Sequence, residues 1–125
     1  MKLAIIGGRN FNDFAALDSA IKQYFCDQNA KTIDGYTPQF TQIVSGGAVG
    51  ADSLGAKWGR ERGVKVVEFL PDWERYGKRA GFLRNQTIID NATHVLAFWD
   101  GVSKGTGNSL SLAKKQKKTT VIVYF

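Results

Sequence analysis

Five short apolar runs, each stopped by glycine, proline or a polar turn and separated by longer stretches with helical spacing, constrain this chain most. They read "KLAIIGG", "QIVSGG", "VKVVEFLP", "THVLAFWDG" and "TVIVYF". Runs of this length suit buried strands, and amphipathic segments between them suit crossover helices. The alternation predicts an α/β fold: a Rossmann-like three-layer sandwich with a mainly parallel five-stranded sheet and helices on both faces.

The first strand ends at Gly7 and Gly8. Asp13 is placed to cap a helix with Phe14, Leu17, Ile21 and Tyr24 on one face. A second strand over Gln42–Ser45 leads through "IVSGGAVGAD" into a helix over Ala51–Arg62 that stops at Gly63, and Trp58 falls on its core face. The third strand, "VKVVEFL", reads as buried on both faces. A polar aromatic loop then precedes a helix over Arg79–Asn91, with Leu83 and Ile88 as core candidates, and "GVSKGTGNS" feeds a last helix over Asn108–Lys117. The segment Asn29–Gln42 shows neither period, so it reads as a long connection with room for a small hairpin, a lid or an oligomer contact.

At 125 residues the chain reads as one domain spanning 1–125, large enough for a core without metal or disulfide. Its apolar runs are too short for a bilayer and its start is too brief for a signal peptide, so a cytoplasmic location without membrane partners is expected. Cys26 and His94, the lone members of their types, fall in a helix pattern and at a strand start. Structural roles suit them better than a nucleophile and its base, and no metal centre is expected. The net charge of +6 favours anionic partners. The densest basic cluster, "KKQKK", suits the C-terminal turn of the last helix, where cations oppose the negative dipole end.

In an open parallel sheet, ligands lie beyond the carboxyl ends of the strands where strand order reverses. The segments "GGRNFND", "SGGAVGAD" and "DGVSKGTGNS" should therefore share one rim. Their glycines admit close approach of a ligand, and helix N-termini offer unpaired N–H donors to a phosphate. Neither "GGAVGAD" nor "SKGTGNS" fits a P-loop or a dinucleotide fingerprint, which disfavours Walker-type ATP hydrolysis and a standard dehydrogenase.

"GGRNF", "SGGAVGADSLGAKWGRERGV", "PDWERYGKRAGFLRNQTIID" and "AFWDGVSKGTGNSLSLAKK" occur in this order, and together they resemble the YspA/YpsA-related branch of the SLOG superfamily. That superfamily also holds phosphoribohydrolases, the DNA-processing protein DprA and nucleotide-sensing domains. The resemblance implies a bound nucleotide or nucleotide-derived ligand that is sensed, sequestered or delivered, with no separate cofactor. Gly46 and Gly47 match the first glycine motif; Gly105, Thr106 and Gly107 match the second. Arg84 is similar to the substrate-holding arginine of the phosphoribohydrolases, and Arg9 matches the branch's "GGR" start. Gly8, Ser45, Asp52, Asn85 and Asn108 complete the expected ligand site, with Trp73, Tyr76 and Trp99 in or beside the rim loops. A guanidinium fork suits phosphate, which supports Arg84 and Arg9 on chemical grounds as well.

Two departures bear on catalysis. The phosphoribohydrolase glutamate is replaced by Ser109, and the lysine after the arginine by Asn85. Asp52 is the best-placed remaining carboxylate, and no catalytic residue is assigned. An N-glycosidase with a non-standard carboxylate is the alternative function. Nucleic-acid binding through Lys114, Lys115, Lys117 and Lys118 is the second alternative. The resemblance also leaves a homo-oligomer open.

Overall fold

A computed structural model describes residues 1–27 and 37–125. In chain order the elements are β1 (Lys2–Gly7), α1 (Phe14–Phe25), β2 (Cys26–Asp27), β3 (Thr37–Pro38), β4 (Gln42–Ser45), α2 (Ala51–Glu61), β5 (Lys65–Glu68), α3 (Trp73–Tyr76), α4 (Ala80–Asp90), β6 (His94–Trp99), α5 (Lys104–Lys115) and β7 (Thr119–Tyr124). A 3₁₀ turn, Gly77–Arg79, joins α3 to α4.

Five strands form one parallel sheet in the order β5-β4-β1-β6-β7. Alternate residues of the three inner strands feed opposite faces, as the two-residue repeat of a strand requires. Leu3, Ile5, Ile43, Leu96 and Phe98 join Leu17 and Ile21 of α1 and Trp58 of α2. Ala4, Ile6, Val44, Val95 and Ala97 join Ile88 and Ile89 of α4 and Ala113 of α5. The result is the expected Rossmann-like sandwich.

Helix boundaries follow local chemistry. Asp13 caps α1 by accepting from the Ala16 N–H at 3.0 Å, and Gly63 ends α2 with a positive φ of 71°. Trp58 is 1% exposed and donates from Nε1 to Asp18 Oδ1 at 2.8 Å. Lys114 and Lys115 occupy the last turn of α5, as the dipole argument expects. His94 opens β6 with Nδ1 2.8 Å from Thr93 Oγ1 and its ring edge-on to Phe25.

Several expectations need correction. Strand β5 is not buried on both faces: among the described residues it is an edge strand whose partner is β4, and its ends Lys65 and Glu68 are exposed. Tyr24 is 49% exposed, because Phe25 continues the buried row of Leu17 and Ile21 at four-residue intervals. Cys26 lies just past the helix, extended and paired with Pro38. Leu83 is only partly buried, leaving Ile88 and Ile89 to carry the core face of α4. Helix α5 starts at Lys104 rather than Asn108, so Gly105, Thr106 and Gly107 form its first turn instead of a loop. Most of the Asn29–Gln42 connection lies outside the described residues; its flanks, β2 and β3, form an antiparallel pair. Among the described residues, no helix is long and apolar enough to cross a membrane.

Candidate functional site

The chain leaves β1 toward β4 on one side of the sheet and later returns to β6 on the other. Strand order therefore reverses between β1 and β6, and their carboxyl ends diverge into a crevice. A cavity of about 340 Å³ occupies it, lined by Gly8, Arg9 and Asn10 after β1, Ala48 and Asp52 at the start of α2, Arg84 and Asn85 of α4, Ser103, Gly105, Thr106 and Ser109 around α5, and Phe125 at the end of the chain.

The α5 side is built by Asp100. Its carboxylate accepts from the Val102 and Ser103 N–H groups at 2.9 and 2.7 Å, and these bonds hold it below the usual carboxylate range. Trp99 Nε1 donates to the Ser103 carbonyl at 3.0 Å and fixes the same turn. Helix α5 then begins with Ser103 as N-cap, whose side chain makes no capping bond. The first N–H groups of a helix have no partner within it; Asp100 takes that of Ser103, and the Ser103 side chain caps none of those that follow. Gly105 faces open space, for an added Cβ would meet nothing within 4 Å. The arrangement places the first turn of α5, the positive end of the helix, in the cavity wall.

The "SGGAVGAD" loop is organised differently. Asp52 is 6% exposed, and the backbone N–H groups of Ala48, Gly46 and Gly7 favour its charged form, as does the Arg84 charge. Burial outweighs them and pushes its pKa up to about 6. Ser45 Oγ donates to the Asp52 carbonyl at 3.1 Å and accepts from the Gly47 N–H at 3.2 Å. The Ala51 N–H donates to the Gly8 carbonyl at 3.3 Å. The donors named are thus spent within this loop and on the Gly8 carbonyl.

Arg84 connects the two halves. Its Nη1 donates to the Gly46 carbonyl at 2.6 Å and its Nε to Asn85 Oδ1 at 3.1 Å. Asn85 in turn lies 3.4 Å from the Gly105 carbonyl through Nδ2. Burial lowers the Arg84 pKa, Arg9's charge lowers it further, and Asp52 opposes both. Two guanidinium groups of like charge thus line the same cavity.

Of the residues expected at the site, Gly8, Arg9, Asp52, Arg84, Asn85, Gly105 and Thr106 line the cavity. Ser45, Gly46 and Gly47 stand behind it: Gly46 anchors Arg84, and Gly47 faces Leu70 and Glu68. Gly107 packs toward Trp99, and Asn108 Oδ1 is buried with no hydrogen-bond partner among the described residues. Tyr76 lines a separate cavity. The sequence reading missed Asn10, Ala48, Ser103 and Phe125. Phe125 was within reach of it, because the residue that follows a parallel strand lies on the same rim as the other carboxyl ends.

Fold and cavity define a Rossmann-like α/β protein with a polar crevice at the strand-order reversal. A family model described as the YspA, cpYpsA-related SLOG family matches residues 1–76, and the chain belongs to this family. The match takes in β1 through α3 and hence the first two rim loops; Arg84 and α5 lie beyond it. The Gene 61 protein of Mycobacterium phage D29 is 39% identical over 85 residues, covering 63% of this chain and 68% of that protein. No solved structure matches.

Proposed function

We propose that this protein binds a nucleotide or nucleotide-derived ligand, with the phosphate at the N-terminus of α5 between Arg9 and Arg84. One observation carries the reading: the uncapped first turn of α5 and two arginines converge on the cavity at the strand-order reversal. Amides and guanidinium groups are the donors that phosphate recognition uses, and charge-assisted bonds of this kind contribute about 1.5–3 kcal/mol each. Membership of the SLOG family supports a nucleotide-related ligand. Such a domain would sense, sequester or deliver what it binds. Thermal-shift screening against nucleoside mono- and diphosphates and cyclic ADP-ribose-like molecules tests this. Stabilisation abolished by Arg9→Ala with Arg84→Met is expected; no stabilisation of the folded wild type by any of them rejects it.

A second reading rests on Asp52. A carboxylate buried at the cavity wall with a pKa of about 6 suits proton transfer to or from a glycosidic leaving group. Ser109, where the phosphoribohydrolases carry a glutamate, counts against it. Chromatography for free base after incubation with nucleoside monophosphates decides between binding and cleavage, and Asp52→Asn should abolish any turnover seen.

A further inference from the structure

A second cavity, of about 530 Å³, also reaches Arg84 and runs along the carboxyl end of β5, the segment that follows it and α4. Arg84 lines both cavities. The two differ in chemistry. Glycines, arginines and hydroxyls dominate the first, whereas Leu70, Pro71, Tyr76 and Leu83 give the second apolar walls, with the carboxylates Glu68 and Asp72 also in its lining.

Leu70 is 68% exposed and Tyr76 41% exposed, so both present apolar surface to the groove rather than to the core. The hydroxyl of Thr87 donates to the Leu83 carbonyl at 3.1 Å, which leaves its oxygen able to accept from a ligand. Arg79 on the rim is exposed. Flat apolar walls with a few polar edges suit a planar heterocycle, and a guanidinium face can itself stack on a ring.

We propose that this groove is the base subsite of the ligand, so that a nucleotide lies along the rim with its phosphate at α5 and its ring between Leu70 and Tyr76. The inference rests on the nucleotide reading above and adds where the base sits and which residues select it. A two-part ligand matches a two-part site: a charged end for the crevice and a ring for the apolar groove, joined past Arg84.

Calorimetric titration of the full chain with ribose 5-phosphate and with ribonucleoside 5′-monophosphates tests the proposal, repeated on Leu70→Ser with Tyr76→Ala. Both side chains are exposed, and circular dichroism checks that the variant folds. At least one monophosphate should bind the wild type about ten-fold tighter than ribose 5-phosphate, and the variant should lose that advantage while its ribose 5-phosphate affinity stays unchanged. A monophosphate advantage that survives in the variant, or none in the wild type, overturns the base subsite and leaves the phosphate site standing. No binding of either compound to the wild type removes both.

Discussion

Arg84 and Gly46, thirty-eight positions apart, are joined by a hydrogen bond of 2.6 Å from guanidinium Nη1 to backbone carbonyl. The bond ties α4 to the loop after β4 and keeps a half-buried positive charge at the wall of the crevice. A residue that resembles a ligand-holding arginine is therefore also a structural brace.

Arg84→Met should affect both properties. Losing the bonds to Gly46 and Asn85 should cost about 1–3 kcal/mol in a urea denaturation. Affinity for inorganic phosphate should fall about ten-fold or more by calorimetry. Arg84→Lys should recover most of the stability but less of the affinity, because an ammonium lacks the planar fork. Unchanged stability in Arg84→Met would show that the Gly46 bond braces nothing.

Asp52 sets a pH dependence of stability. Burial raises its pKa from 3.8 to about 6, so between these values the folded protein holds a proton that the unfolded chain has released. The Asp52 contribution to stability therefore declines as pH rises through this window and levels off above it. A shift of roughly two units corresponds to about 3 kcal/mol. Asp52→Asn lacks the effect, and its stability relative to wild type should rise between pH 4.5 and 7.5 in paired thermal melts. A pH-independent difference between the two would contradict the assignment.

Gly50 is the least replaceable residue of its loop. It adopts φ 89°, ψ −132°, and an added Cβ would lie 2.8 Å from the Arg9 Cα and closer still to the Gly8 carbonyl. Both neighbours are backbone and have no rotamer to give. Gly50→Ala should cost on the order of 3 kcal/mol. The same substitution at Gly105, which faces open space, should cost little in stability while weakening phosphate binding. Equal tolerance at the two positions in a denaturation series would refute the contrast.

Ser109 is 3% exposed and lines the crevice. Replacing it with the glutamate of the phosphoribohydrolases puts a carboxylate next to the proposed phosphate position. Ser109→Glu should lower phosphate affinity about ten-fold through like-charge repulsion. Tighter binding would mean that the anion lies elsewhere.

The strand runs, their parallel stacking and the caps at Asp13 and Gly63 were legible in the sequence, because they depend on periodicity and on residues a few positions apart. Burial was less so. The run "VKVVEFL" is apolar enough for a central strand, yet β5 sits at an edge, and its place was decided by the order in which strands pair. Tyr24 and Phe25 both suit an amphipathic helix; the direction in which α1 lies on the sheet chose between them.

The site divides the same way. The sequence by itself determined that glycine-rich segments follow three parallel strands, and a parallel sheet must bring those segments to one rim. Only the tertiary structure decided how the two glycine motifs differ. Asp52 and Ser45 fold back onto the amides of the first, while Asp100 shapes the turn before the second and leaves the first turn of α5 uncapped. That difference depends on which donors find acceptors once the chain has closed on itself, and hydrogen bonds between distant residues, such as Arg84 to Gly46, have no signature in local sequence.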